Sequence, residues 1–456
     1  MISKGDILTA KITDLTINGD GVAKIEQYPV FIKGAVVGDF VSFKVTKTNK
    51  SYGFGKLIEI ITPSKDRRES PCPSFESCGG CSLMHLNYDA QLNFKSDLVL
   101  SNLTRIGGYS EGDFTYEQIL GASQEFSYRN KAQFPVGMEK GKVVCGFYSP
   151  KSHIIAPCTS CLIQDEKINK AIELGMEYIK SQKIPVYDEV AHKGIIRHIY
   201  VRCGDDEIML VFVTNSSKPL KNIDEISHKL SSLGKATILQ NINTKRTNVI
   251  LGRENITLFG DGYIHMHLEN LKFKVSAHSF FQVNTEQMKK LYKKALEYAS
   301  LSNDDTVFDL YSGVGSISLY MARQAKKVIG VEIVPDAIEN AKENALLNSI
   351  SNVEFYLGDC TEVVEKLLAN GEKCDVAVVD PPRKGCDEKL LQLLKTISPK
   401  RIVYVSCNSA TLGRDVAILR DFGYTLKKAC AVDLFPQSTH CEAVAQLQQL
   451  SLPDGK

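Results

Sequence analysis

Tryptophan is absent from this 456-residue chain, proline contributes only 15 residues, and 55 Lys and Arg against 53 Asp and Glu leave a formal net charge of +2. So even a balance excludes a protein that coats nucleic acid or anionic membrane indiscriminately, although it leaves room for a local basic face. No apolar run approaches the roughly 18 residues needed to span a bilayer, so a membrane is not an expected partner. The opening Met1-Ile2-Ser3-Lys4-Gly5-Asp6 lacks the apolar stretch of a secretory signal. A cytoplasmic location is expected, where thiols stay reduced and paired disulfides are rare. With 43% hydrophobic and 24% charged residues the chain is neither disordered nor fibrous, and its length suits several domains.

What is present is unevenly spread. Residues 1–60 hold short alternating apolar runs broken by glycine, among them Ile7 to Ile12, Gly21 to Ile25, Pro29 to Lys33 and Phe40 to Val45. Strands this closely spaced predict a small β-barrel. Residues 1–70 carry 11 Lys/Arg against 8 Asp/Glu, whereas residues 276–456 carry 21 against 23, so the positive excess sits at the front. The polar, proline-containing stretch from Thr62 to Pro73 reads as a linker. Residues 61–275 form a mixed α+β central region. From 276 to 456 strands alternate with helical stretches, the pattern of an α/β domain on a parallel sheet.

The chain has 13 cysteines, and three of them, Cys72, Cys78 and Cys81, cluster as C-x5-C-x2-C around Gly79-Gly80. The glycines let the backbone turn tightly enough to aim Cys78 and Cys81 at one centre. Three thiolates leave a tetrahedral or cubane site one ligand short, and Cys158 and Cys161 are the candidates for the fourth. Soft sulfur ligands suit zinc or an iron–sulfur cluster.

In the last region, Val307 to Leu310 is an apolar strand running into Tyr311-Ser312-Gly313-Val314-Gly315, and a second strand ends in Glu332. An acid at that distance reaches ribose hydroxyls in a doubly wound fold. Ser318 stands where a dinucleotide fingerprint has its third glycine, which favours S-adenosyl-L-methionine, a donor without a pyrophosphate. Asp359 closes a third strand, where adenine is commonly held, and Asp380-Pro381-Pro382-Arg383 closes a fourth. Ligands of open α/β sheets bind at these carboxyl ends. Cys407 follows a fifth strand, and Glu442 opens the last one. A thiol and a carboxylate beside a methyl donor suit methylation of carbon 5 of uracil. That carbon becomes nucleophilic only after a thiolate has added to carbon 6, and a base must then take its proton. Cys407 is assigned as nucleophile and Glu442 as general base, acting on a base drawn out of its stack. Cys441 and His440 read as structural.

Along essentially its whole length the chain resembles the RNA (uracil-5-)-methyltransferase family, in Phe280-Phe281-Gln282-Val283-Asn284-Thr285, Asp309 to Gly315, Val379 to Gly385, Ser406-Cys407-Asn408 and His440-Cys441-Glu442. The resemblance implies a Rossmann-like methyltransferase domain, an RNA-binding TRAM barrel over residues 1–60, and a [4Fe–4S] cluster on Cys72, Cys78, Cys81 and Cys161. It implies Gln282, Tyr311, Gly313, Glu332, Asp380 and Asp359 as donor contacts. The implied partner is structured RNA, 23S ribosomal RNA above all, rather than DNA, with the enzyme a monomer.

Transfer RNA is the alternative substrate. A non-catalytic iron–sulfur RNA-binding factor would not need the Cys407/Glu442 pair, and a nitrogen methyltransferase would leave the thiol idle. Mixed cations and aromatics at Tyr128 to Gln133 and Arg197 to Arg202 are the expected RNA contacts of the central region. The helical stretch from Tyr88 to Ile106 is expected to lie on the catalytic domain.

Overall fold

The computed structural model describes residues 2–450. Strands β1 (Ile7–Leu15), β2 (Gly21–Ile25), β3 (Tyr28–Lys33), β4 (Phe40–Thr48) and β5 (Gly53–Thr62) close into a barrel in the order β1-β2-β3-β5-β4. Alternate side chains, including Ile12, Ala23, Val30, Ile32, Val41, Phe43 and Val45, fill it, as a period of two requires. The expected linker is tethered: Arg67 forms an ion pair of 2.6 Å with the fully buried Asp39 and donates to the Gly34 carbonyl. Leu15 and Val36 of the barrel join Leu83, Leu86 and Phe94 in one apolar cluster, which seats the barrel on the rest of the chain.

Helix α1 (Tyr88–Arg105) and strand β6 (Thr115–Leu120) come next. The central sheet comprises β7 (Lys131–Glu139), β8 (Lys142–Tyr148), β9 (Ile155–Pro157), β10 (Ile196–Cys203), β11 (Glu207–Thr214), β12 (Lys235–Ile242) and β13 (Glu254–Phe259), in the order β13-β12-β11-β10-β7-β8-β9. Helices α2 (Glu166–Ser181) and α3 (Asp224–Ser231) pack on one face. The hairpin of β14 (Ile264–Leu268) and β15 (Leu271–Val275) packs on the other, where Tyr200, Met209 and Val211 meet Met266, Phe273 and Phe281. Strand β10 is therefore buried along its whole length, which overturns the expected RNA contacts there. The Arg197 guanidinium donates to the carbonyls of Asn243 and Lys245, and Arg202 donates to that of Ser279.

The catalytic region runs through α4 (Thr285–Ala299), β16 (Thr306–Leu310), α5 (Ser316–Met321), β17 (Lys327–Glu332), α6 (Pro335–Leu347), β18 (Val353–Leu357), α7 (Cys360–Ala369), β19 (Val376–Val379), α8 (Glu388–Ile397), β20 (Arg401–Ser406), α9 (Ser409–Asp421), β21 (Tyr424–Val432) and β22 (Glu442–Gln449). Its sheet has the order β18-β17-β16-β19-β20-β22-β21-β6. The first five are parallel, and β22 runs antiparallel to both its neighbours. The eighth strand, β6, comes from the stretch read from sequence as central, so the sheet does not respect the boundary at 276. Helix α1 packs on α9, as expected.

That graft is fixed by a fully buried ion pair, Lys95 Nζ to Asp433 Oδ1 at 2.5 Å, with the Tyr88 hydroxyl donating to the other carboxylate oxygen at 2.8 Å. Removing one member of such a pair leaves an uncompensated charge in a medium that solvates it poorly. Lys95→Met is expected to cost about 3–5 kcal/mol, read as a drop in melting temperature, with Lys95→Met/Asp433→Leu recovering most of it. A single variant that melts like the wild type would show that the pair does not stabilise the fold.

Candidate active site

At the carboxyl end of the parallel strands lies a cleft of about 820 Å³, lined by Gln282, Tyr311, Gly313, Glu332, Asp380, Cys407 and Glu442 among others. The structure thus gathers both expected catalytic residues and five of the six expected donor contacts in one place. The cleft lies within the usual size of a cofactor pocket.

The glycine loop explains how. After β16 the chain enters the left-handed region at Tyr311, Gly313 and Gly315, with φ of 78°, 54° and 81°. A side chain at Gly315 would bring its Cβ within 2.7 Å of Phe355 Cζ, so only glycine fits there. A Cβ at Gly313 would meet nothing within 4 Å, because that residue faces the open cleft. The Gly313 amide donates to Glu332 Oε2 at 3.1 Å, while Glu332 Oε1 accepts from the amides of Ile333 and Val334 at 2.9 and 3.0 Å. Glu332 is thus braced across the loop. Asp359 stands apart, outside the residues lining the cleft. Its Oδ1 accepts from the Thr361 amide at 2.9 Å and caps α7.

The expected catalytic pair is brought together by sheet register. Ser406 of β20 pairs with Ala443 of β22, so Cys407, one residue after β20's last, and Glu442, the first residue of β22, lie at the same end of the sheet. Cys407 directly precedes Asn408, the N-cap of α9, and the positive end of a helix favours a thiolate. The Asn408 side-chain amide also donates to the Arg383 carbonyl at 3.0 Å, tying the Asp380-Pro381-Pro382-Arg383 turn to the Cys407 turn. Burial, with Glu442 and Asp380 nearby, pushes the Cys407 thiol up to about 11, and Arg383 opposes that shift. Burial and Asp380 push Glu442 up to about 8, again against Arg383. Burial and Asp309 push Asp380 up to about 7. The cleft is thus rich in carboxylates, Glu332, Asp336, Asp380 and Glu442, with Arg129 and Arg383 as its cations.

The loop that delivers Glu442 hangs on Gln437, a fully buried residue at φ 71°. Its carbonyl accepts from the amides of Ser82 and Leu83, both at 2.9 Å, immediately after Cys81. Its side-chain oxygen accepts from Arg68 and Gln91, its side-chain amide donates to Glu125, and its backbone amide donates to Gln91. The cysteine loop is thereby stitched to the loop that leads into Glu442.

The cysteines themselves line a second cavity of about 270 Å³: Cys72, Cys78 and Cys81 with both Cys158 and Cys161. Among the described residues no group of three or more His, Cys, Asp or Glu is placed to hold a single metal ion. The Cys161 backbone is pinned on both sides, its amide donating to Asn169 and its carbonyl accepting from it. Gly80, Arg129 and Ile163 line this cavity and the catalytic cleft alike, so the two adjoin although their residues are far apart in the chain.

The sequence reading passed over His278, Asp336 and Asn340 and took His440 as structural; all four line the cleft. Cys441 is buried in the core, 7% exposed. Local pattern gives no signal for Asp336 or Asn340, which lie on α6 and reach the site only through the sheet order.

Comparison with known proteins agrees with this architecture. Residues 87–450 match the family model described as tRNA (Uracil-5-)-methyltransferase, and residues 3–58 match the TRAM domain. A protein of Clostridium tetani named as an RNA methyltransferase is 45% identical over 447 residues, covering 97% of this chain and 96% of its own. One of Halalkalibacterium halodurans, named likewise, is 46% identical over 451 residues, with 98% of each covered. Among solved structures, the Pyrococcus abyssi tRNA (uracil-54, C5)-methyltransferase in complex with S-adenosyl-L-homocysteine superposes with a TM-score of 0.78 at 27% identity, over 96% of this chain and 100% of that one. The chain belongs to the S-adenosylmethionine-dependent RNA uracil-5-methyltransferase family and carries an N-terminal TRAM domain.

Proposed function

We propose that this protein methylates carbon 5 of uridine in 23S ribosomal RNA through a covalent adduct on Cys407. The observation that carries the reading is the meeting of Cys407 and Glu442 at the rim of one acidic cleft. S-adenosylmethionine supplies the methyl group on a positively charged sulfonium. Gln282, Tyr311, Gly313, Glu332 and Asp380 would hold it, and the carboxylate-rich lining suits its cation. The Cys407 thiolate adds to carbon 6 of the uracil ring, and carbon 5 of the resulting enolate takes the methyl group. Glu442 then removes the carbon-5 proton, the carbon 5–carbon 6 double bond re-forms and the thiolate leaves.

Addition needs the Cys407 thiolate and elimination needs the Glu442 carboxylate, so turnover is expected to keep rising with pH from about 8, the value to which Glu442 is pushed, toward about 11, the value to which Cys407 is pushed. Arg383 holds both pKa values down. Arg383→Gln therefore moves the rise to more alkaline pH, and a profile that stays in place would remove Arg383 from the electrostatics of the site.

Cys72, Cys78, Cys81 and Cys161 would hold a [4Fe–4S] cluster. The fit rests on five cysteines lining one cavity, and thiolates are the usual ligands of such clusters. Anaerobically purified protein is expected to be brown, with Cys161→Ser losing the visible absorption and Cys158→Ser keeping it. A colourless zinc protein would overturn the assignment.

Ribosomal RNA is supported by the resemblance to 23S enzymes that combine the barrel with the cysteine cluster. Transfer RNA is favoured by the Pyrococcus abyssi neighbour. Incubating the protein and methyl donor with 23S transcripts and with tRNA, then mapping 5-methyluridine, separates them; methylation of tRNA alone would sink the ribosomal reading.

A further inference from the structure

The outer face of the barrel carries two adjacent rows of side chains set by strand register. In one row Lys47 of β4 pairs with Phe54 of β5, Phe54 with Phe31 of β3, and Phe31 with Val22 of β2. Two residues further along β3 and β5, Lys44 pairs with Lys56 and Lys56 with Lys33. A two-residue step keeps both rows on the same side of the sheet. Tyr52, just before β5, completes the aromatic row: the centroids of Phe31, Tyr52 and Phe54 lie 5.5, 5.7 and 5.8 Å apart. Tyr52 and Phe54 keep 37% and 38% of their surface open.

Among the described residues, none of Lys24, Lys33, Lys44, Lys47 and Lys56 is within ion-pair distance of a carboxylate. Along β5 the first acid past the lysine row is Glu59, opposite Ser42. Lysines without partners beside exposed rings are poor material for a folding core and suit a polyanion that also offers flat apolar faces. That ligand is single-stranded nucleic acid, whose bases stack on aromatics while its phosphates meet cations. Duplex would satisfy the lysines and leave the rings idle.

The rows also point toward the cleft. Lys33 lies close enough to Asp20 to act on its carboxyl, as does Lys151 of the central region. A Cβ at the neighbouring Gly19 would stand 3.3 Å from Thr439, one residue before the cleft-lining His440. A strand leaving the cleft past residues 438–440 meets the β1–β2 loop, then Lys33, then the rings.

We propose that Phe31, Tyr52 and Phe54 stack unpaired bases of the substrate RNA flanking the target uridine, with Lys33, Lys44 and Lys56 holding the phosphates between them. This rests on the RNA-methylating reading above and assigns the barrel a preference for unpaired over paired flanks.

The test compares full-length wild type with Phe31→Leu/Phe54→Leu, which keeps the surface apolar while removing both rings, on a short methyl-accepting hairpin with and without a single-stranded extension. Loss of two stacking contacts is expected to weaken binding of the extended RNA about ten- to a hundredfold, leaving kcat and the affinity for the bare hairpin unchanged. Annealing a complementary strand to the extension should abolish the difference. Lys33→Gln/Lys44→Gln/Lys56→Gln should lower the slope of log affinity against log salt by about 2. As a direct reporter, Phe54→Trp should be quenched by the extension and not by the annealed duplex. Equal binding of extended RNA by wild type and the leucine variant, or equal losses on paired and unpaired flanks, would overturn the platform. Binding is measured without turnover, so an absence of uridine methylation would overturn the activity and leave this result readable.

Discussion

Glu442→Gln protein is expected to accumulate as a methylated, RNA-linked species instead of turning over. The carboxyl is 3% exposed and opens the strand beside the Cys407 turn. Glutamine keeps its shape and volume while removing its ability to take a proton. Thiol addition and methyl transfer do not need that proton to move, so both proceed; elimination does need it, and stalls. Loss of a positioned general base is worth roughly 10²–10⁴-fold in kcat. The measurement is a denaturing gel with methyl-labelled donor, in which label and RNA should travel with the protein. Clean turnover by the variant would remove Glu442 as the base.

Cys407→Ala has the opposite signature. Without the thiol, carbon 5 never becomes nucleophilic, and methylation should fall by at least about 10⁴-fold, the scale on which an enzyme loses its nucleophile. Donor binding, which we propose rests on the glycine loop and Glu332 across the cleft, should be nearly unchanged. RNA carrying 5-fluorouridine separates the roles further. Fluorine cannot leave as a cation, so wild-type protein should become trapped as a denaturant-stable adduct and Cys407→Ala should not. A wild type that methylates ordinary RNA yet forms no adduct would sink the covalent route.

Most of the candidate site's lining was legible in sequence because its parts are short and local. The turn from Tyr311 to Gly315 and the thiol after β20 each declare themselves within a few residues, and the sheet then brings them together. Misreadings came where a residue's role depends on what packs on it. Arg197 and Arg202 looked like cations for RNA, yet β10 is covered on both faces and the guanidinium groups are spent on backbone carbonyls. Strand β6 pairs with β21 some 310 residues away, with Thr115 opposite Lys428, and nothing local announces that. Asp359 carries a second, structural role that the sequence also declares. Asp359 with Glu362 three residues on is the spacing of a capped helix start, the role its carboxylate takes.

The stitching at Gln437 has a consequence for anyone building chimeras from this family. A graft of residues 276–456 from one relative onto another would separate the Gln437 carbonyl from the amides of Ser82 and Leu83, and its side chain from Arg68, Gln91 and Glu125. It would also strip β6 from the sheet and Lys95 from Asp433. The unit that can be exchanged is discontinuous: the segment from Arg68 to Glu125 must travel with the catalytic region, and the faces it shares with the barrel and with the central sheet must be matched in the recipient.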